Sequence, residues 1–237
     1  MKNKSVILLS VLALAFAGYA EAAKPKKKRT RNANRVGAYG IGFIGQSQYP
    51  NDQTANENEL LSILTGTGNP VRNLSADTED TDFGYNATFG YRFNRYFSAE
   101  IGLAQYGSVS STARSEMDFG QGFVPTSLKI KFTPGGPVMS AIGILPINDK
   151  FEFFGRAGYL FASAERELSS NVDGQGGAFG SAKGDSQNLV LGIGGAYHFN
   201  QVYSVRFEYQ KIEEIGEDNR TGLEDLNFYG LGIVVRF

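Results

Sequence analysis

The feature that most constrains this chain is a strict period of two in its apolar residues. In YSVRFEYQK, Tyr203, Val205, Phe207 and Tyr209 fall on one face, and Ser204, Arg206, Glu208 and Gln210 fall on the other. Successive side chains of an extended strand point to opposite sides, so this spacing reads as strand and not as helix. FSAEIGLAQ sets Phe97, Ala99, Ile101 and Leu103 against Ser98, Glu100 and Gly102. In GYNATFGYRFN, Tyr85, Ala87, Phe89, Tyr91 and Phe93 oppose Asn86, Thr88, Gly90 and Arg92. FEFFGRAGYLFA puts Phe151, Phe153, Ala157, Tyr159 and Phe161 opposite Glu152, Arg156 and Gly158.

A soluble sandwich alternates too, so the composition of the two faces has to decide the class. A water-facing sheet surface is rich in Lys, Thr and Glu. Here the less apolar face is mostly Gly, Ser, Ala and Asn, with one or two isolated charges per strand. Small residues leave room inside a narrow closed barrel, where a few charges pair across the lumen. The other face draws on 18 Phe and 12 Tyr, as a lipid-facing surface with aromatic girdles does, although Trp, which such girdles often use, is absent.

Connection lengths point the same way. Asn94-Arg95-Tyr96, Asn148-Asp149-Lys150 and Asn200-Gln201-Val202 are very short turns, spaced 54 and 52 residues apart. Between them lie long polar connections at 46–82, 108–136, 164–186 and 214–225. Short turns on one rim and long loops on the other are the asymmetry of outer-membrane barrels. The expected fold is therefore all-β: a membrane-spanning antiparallel up-and-down β-barrel of eight strands, with both termini on the short-turn, periplasmic side. The strands are read at 36–45, 83–94, 97–107, 137–147, 151–163, 187–199, 203–213 and 226–237. Pro134-Gly135-Gly136-Pro137 interrupts the fourth hairpin arm, so Thr126–Phe132 reads as an extension beyond the membrane, with ten strands as the alternative.

The N-terminus reads as a targeting segment. Lys2 and Lys4 precede an apolar run from Val6 to Ala17, and Ala20-Glu21-Ala22 offers a small-residue cleavage site, giving a signal peptide over 1–22. A tail at 23–35 follows, with seven basic residues and no acidic one between Lys24 and Arg35. Such a block is a solvated arm, or one that touches phosphate or peptidoglycan carboxylates. The barrel domain occupies 36–237. Without cysteine there is no disulfide framework and no lipoprotein anchor. A net charge of -1 gives no pull toward nucleic acid, and none is expected as a partner.

By the period-two count, Arg92, Glu100, Glu152, Arg156, Arg206, Glu208 and Arg236 point inward. Unpaired buried charge is costly, so these residues should pair into a network that plugs the barrel, or line a narrow gated pore. Gly40-Ile41-Gly42-Phe43-Ile44-Gly45 formally matches a dinucleotide fingerprint. It lies inside a strand and not between a strand and a helix, so no cofactor is expected and the glycines are read as lumen packing. His198, the only histidine, stands beside a short turn on the rim opposite the outer leaflet where barrel hydrolases carry their Ser–His–acid groups, and with no Cys and no second His neither a hydrolase triad nor a zinc site is expected. Asn73, Asn86 and Asn219 head N-x-S/T triplets that carry no weight in a bacterial chain. The loops are acidic: 46–82 holds Asp52, Glu57, Glu59, Asp77, Glu79, Asp80 and Asp82 against Arg72, and 214–225 holds Glu214, Glu217, Asp218, Glu224 and Asp225 against Arg220. They read as solvated tips, with divalent cations shared with lipopolysaccharide or a basic partner as alternatives.

The hairpin LPINDKFEFFGRAGY from Leu145, the pair GYRFNRYFSAEIG from Gly90 and AYHFNQVYSVRFEYQ from Ala196 carry a family resemblance. They resemble the small barrel of the outer membrane protein A type and the wider porin-like β-barrels, over essentially all of 36–237 outside the loops. The last strand, LNFYGLGIVVRF, resembles the C-terminal insertion signal of such barrels, with Gly230, Gly232, Val235 and the terminal Phe237 as its marks. The resemblance implies a bacterial outer-membrane location, contact with outer-membrane lipid and lipopolysaccharide, and recognition by the barrel-insertion machinery. It also implies an inward charge cluster that closes the lumen. Glu100 and Arg206 match two of its members, while Ile142 and Ala196 stand at the two partner positions and leave that particular switch incomplete. The peptidoglycan-binding domain of larger relatives is not in the chain. The expected role is non-enzymatic, contributing to envelope structure and surface properties with weak porin-like activity. The alternative is an adhesin or recognition protein that meets a host or phage ligand through its loops.

Overall fold

The structure is a computed structural model and describes residues 36–50, 54–217 and 221–237. The expected signal peptide at 1–22 and basic tail at 23–35 lie outside the described residues, as do Asp52, Asp218 and Arg220.

The elements run β1 (Gly37–Gln48), α1 (Thr54–Gly66), β2 (Val71–Glu79), β3 (Thr81–Arg92), β4 (Phe97–Gln105), β5 (Val109–Asp118), β6 (Phe123–Pro146), β7 (Phe151–Val172), β8 (Gln175–His198), β9 (Tyr203–Glu217) and β10 (Gly222–Arg236). The antiparallel ring passes through β6, β4, β3, β1, β10, β9, β8 and β7, and the β6–β7 pairing closes it. The first and last strands of the barrel lie side by side, with Tyr39 opposite Arg236 and Gln48 opposite Asn227. The barrel therefore has eight strands. β2 and β5 are the upward continuations of β3 and β4; outside the ring β2 pairs with β5, and β5 pairs with β6.

The three short turns share one device. Asn94 Oδ1 accepts from the backbone N–H groups of Tyr96 (2.7 Å) and Phe97 (3.0 Å). Asn148 Oδ1 does the same for Lys150 and Phe151, at 2.8 and 2.9 Å, and Asn200 Oδ1 for Val202 and Tyr203, both at 2.8 Å. An Asn side chain mimics a backbone turn in this way, which explains why each hairpin reverses in so few residues. Aromatic residues crowd this rim on the outside: Tyr91 contacts Phe93, and Phe151, Tyr197 and Phe199 form a row.

At the other end the structure departs from the sequence reading. The tracts 108–136 and 164–186, expected as loops, are mostly strand: β5, the upper half of β6, and the upper arms of β7 and β8. The tract 46–82 holds α1 and β2, and 214–217 and 222–225 belong to β9 and β10, with Gly222 opposite Glu217. Thr126–Phe132, read as a strand extension, is part of β6, which runs on through the Pro-Gly-Gly-Pro stretch without a register shift. At Gly136 a Cβ would lie 2.1 Å from the Phe161 carbonyl oxygen, so only glycine lets the two backbones stay that close.

The result is a platform of β2, β5, upper β6, upper β7 and upper β8 standing on the barrel. It carries its own apolar core of Leu60 and Leu64 from α1 against Ala113, Met117, Leu128 and Ile130. α1 is short and buries Leu60 and Leu64 fully, so its stability comes from this packing and not from propensity.

Candidate functional site

The lumen face is built from the small side of each strand, with large side chains admitted where a glycine faces them. Tyr39 lies over Gly90, Phe228 over Gly230, Phe43 over Gly232, and Phe154 over Gly194; a Cβ on any of these glycines would clash with the ring. β1 inverts the usual order. Tyr39, Ile41 and Phe43 point inward and are buried, while Ile44 faces outward. Of the glycines expected to pack the lumen, only Gly45 does so, and Gly40 and Gly42 face outward with the even residues of the strand.

Three layers fill the interior. The middle one is a cyclic quartet of charges. Glu100 accepts from Arg206 at 2.6 Å and from Arg156 at 2.5 Å, and Glu208 is held by Arg206 at 2.8 Å and by Arg156. Each carboxylate therefore touches both guanidinium groups, and each guanidinium both carboxylates. Tyr39 donates to Glu100 at 2.7 Å, Arg156 to Ser140 at 2.8 Å, and Phe154 lies against Arg206 with the ring centroid 3.8 Å from Cζ. All four charged groups are buried. The resemblance left the switch incomplete at Ile142 and Ala196. In the structure Arg156, paired with Ile142 on β6, and Glu208, paired with Gly194 two residues before Ala196 on β8, supply the missing charges from neighbouring positions.

Toward the short turns lies the second layer. Arg92 donates to both oxygens of Glu152, at 3.1 and 2.9 Å. His198 stands between Ser204 and Glu152, with Nδ1 2.6 Å from Ser204 Oγ and Nε2 3.3 Å from Glu152 Oε2. Arg236 donates to Ser204 Oγ at 3.2 Å. No triad was expected at His198, yet the fold brings a serine and an acid to its two nitrogens from β9 and β7. The group is enclosed all the same. Ser204 is 1% exposed, Glu152 is held from the other side by Arg92, and the adjoining cavity of about 30 Å³ admits no ester or peptide.

Toward the platform the third layer is apolar. Tyr106 donates to Gln210, which donates to Glu208, and above them Val109, Phe132, Leu160, Val190, Ile212 and Phe228 form one buried cluster with Tyr49. This plug spans the lumen above the quartet.

All seven charges expected inward lie on lumen faces, and Arg236, at the rim, is the least enclosed of them. The residues read as an insertion signal divide between two faces: Gly230 and Gly232 point inward beneath Phe228 and Phe43, and Val235 and Phe237 point outward. Several acids read as solvated tips are tied down. Asp77 pairs with Arg114, Glu59 with Arg166 at 2.6 Å, Glu57 accepts from Thr78 at 2.9 Å, and Asp82 accepts from Ser108 at 2.9 Å. Asn86 is buried in the lumen. No group of three or more His, Cys, Asp or Glu among the described residues is arranged to hold a metal ion.

A family model described as the OmpA-like transmembrane domain matches residues 32–237. The chain belongs to that family. As an OmpA-like transmembrane domain it is a bacterial outer-membrane β-barrel, and its apolar outer face is the lipid-facing one. Outer membrane protein A of Yersinia pseudotuberculosis serotype I is 26% identical over 238 residues, covering 99% of this chain and 56% of the relative. The chain thus spans little more than half the length of that relative. Among solved structures, OprG of Pseudomonas aeruginosa is similar at 14% identity and a TM-score of 0.44, covering 88% of this chain and 100% of that one. Ail, the attachment invasion locus protein of Yersinia pestis, in complex with the heparin analogue sucrose octasulfate, is similar at 16% identity and a TM-score of 0.39, covering 85% and 100%.

Proposed function

We propose that this OmpA-like barrel is a non-enzymatic anchor that presents a folded recognition platform outside the cell. The single observation that carries this is the separate core of Leu60, Leu64, Ala113, Met117, Leu128 and Ile130 above the barrel. Ordering a long connection into a helix and extra strands costs conformational entropy that a purely structural barrel has no need to spend. Conserving a fixed outer shape is what a surface that meets a partner requires.

In this reading the short Asn turns and both termini face the periplasm, and the platform faces outward among the lipopolysaccharide. The last strand, with Gly230, Gly232, Val235 and Phe237, is the part read by the insertion machinery. Outward partners are a host or phage ligand. The apolar plug and the charge quartet argue against porin-like conductance, since an ion would have to pass a dry, side-chain-filled segment. The enclosure of Ser204 and His198 argues against hydrolysis.

Two measurements test the proposal together. Purified barrel in planar bilayers should give no conductance steps. Cells displaying it should bind a ligand-bearing surface in a manner lost when Leu60 and Leu64 are both replaced by Asp, with the barrel still inserted. Stable conductance steps in the intact protein, or binding unchanged by the double substitution, would overturn it.

A further inference from the structure

Gly195 has no packing duty in the lumen. Its neighbour Gly194 makes room for Phe154 inside the barrel, where a Cβ would come within 2.2 Å of the ring. Gly195 faces outward instead, between Phe153 on β7 and Phe207 on β9, and a Cβ there would meet the Phe153 ring at 3.6 Å, an ordinary contact. The missing side chain leaves a groove of about 640 Å³ on the lipid-facing surface, walled by Phe153, Ile193, Tyr197, Val205, Phe207 and Leu231. A glycine inside a strand weakens it, and often marks a place where a ligand comes close to the backbone.

The groove also has a direction. Along β9 it runs from Val205 to Tyr209, about 13 Å at roughly 3.3 Å per residue, which is half of the ~25 Å apolar band of such barrels. Tyr197 marks its end near the short turns. Beside that end lies Lys150, exposed in the 148–150 turn, whose carbonyl oxygen accepts from the N–H of His198 at 2.8 Å. The geometry points to a retained phospholipid, with one acyl chain lying in the groove over Gly195 and its phosphate at the Lys150 ammonium. An apolar trench one leaflet long that ends at a cation matches a lipid in both of its parts, since lysine binds phosphate as a point charge. A second copy of the barrel would bring no phosphate to Lys150. That the lipid comes from the inner leaflet rests on the reading that the short turns face the periplasm.

Phosphatidylglycerol is the probe, titrated onto the full folded chain in detergent and read by native mass spectrometry. A single adduct should saturate first and outlast the others as collision energy rises. Gly195→Leu fills the groove from a position that accepts a Cβ, and should lose that adduct while the boiled and unboiled forms still migrate differently on a gel. Lys150→Gln should weaken it, and Lys150→Arg should restore it. A ladder of adducts with no preferred first member, or a first adduct unchanged in Gly195→Leu, overturns the inference, because lipid then only coats the barrel. An adduct indifferent to Lys150→Gln overturns the placing of the phosphate. A lipid-free dimer broken by Gly195→Leu would give the groove to a second copy. Lipopolysaccharide that displaces phosphatidylglycerol from the groove would overturn the inner-leaflet source and the periplasmic reading of the short turns together, a result distinct from an empty groove. Where Gly195→Leu fails to fold, the wild-type titration and the Lys150 variants decide.

Discussion

Glu100 on β4 and Arg206 on β9 meet at 2.6 Å from strands four places apart in either direction around the ring. Diametrically opposed strands touch only through the lumen of a closed barrel, so this one contact depends on closure. Arg156 and Glu208 join it into a cycle in which no charge has a single partner.

The cycle sets the outcome of a double-mutant experiment. Glu100→Gln leaves two guanidinium groups sharing one carboxylate, and Arg206→Met leaves two carboxylates sharing one guanidinium. Each should cost about 3–5 kcal/mol, the range for breaking a buried pair. The two together restore charge balance as Arg156 with Glu208, and should cost well under the sum of the singles. Unfolding in lipid gives the three values. Strict additivity would show that the two residues do not interact.

Phe207 is 53% exposed on the outer face of β9, between the inward Arg206 and Glu208. Phe207→Arg puts a charge into lipid and should cost roughly 2–4 kcal/mol, as for Arg or Lys near the midplane of such barrels. Urea titration in vesicles measures this. A variant as stable as the parent would mean that the face meets water.

The glycines of the lumen and of the outer face should differ sharply. At Gly232 a Cβ would lie 2.7 Å from Phe43 Cδ1, whereas at Gly42 nothing lies within 4 Å. Gly232→Ala should lose about 1–3 kcal/mol through overpacking, and Gly42→Ala should be close to neutral. Equal losses at the two positions would place Phe43 somewhere other than under β10.

The platform should melt without the barrel. Leu64→Asp buries a carboxylate among Met117, Leu128 and Ile130 and removes the anchor of α1. Proteolysis should then cut within 54–79, while the boiled and unboiled forms still migrate differently on a gel. Loss of the gel shift would show that platform and barrel fold as one unit.

Asn148→Ala removes the acceptor for the N–H groups of Lys150 and Phe151. With net values of about 0.5–1.5 kcal/mol per hydrogen bond, and water replacing part of the loss at this exposed turn, the expected cost is about 1 kcal/mol. A cost above about 3 kcal/mol would mean that the turn does more than reverse the chain.

Local periodicity made much of the barrel legible. In YSVRFEYQK the alternation of Phe207 with Arg206 and Glu208 assigns both faces without any tertiary information, because a strand sends neighbouring side chains to opposite sides. Asn94, Asn148 and Asn200 marked the three turns, since an Asn hydrogen bond to the backbone two and three residues on is a local event. The inward charges followed from the same parity. Even the division of Gly40 and Gly42 from Gly45 was present as parity, although the shared motif concealed it.

What the tertiary structure alone decided is which inward residues meet. Parity says that Glu100 and Arg156 point inward but not how far each strand is staggered against the next, and the stagger sets the height of each residue in the lumen. That is why Arg156 and Glu208, and not the positions of Ile142 and Ala196, complete the cycle, and why Ser204 and Glu152 flank His198. The platform was hidden for a different reason. Leu60 and Leu64 are spaced for one face of a helix, yet one short apolar patch in a polar tract forms no stable helix until Met117 and Leu128 arrive from β5 and β6 to bury it.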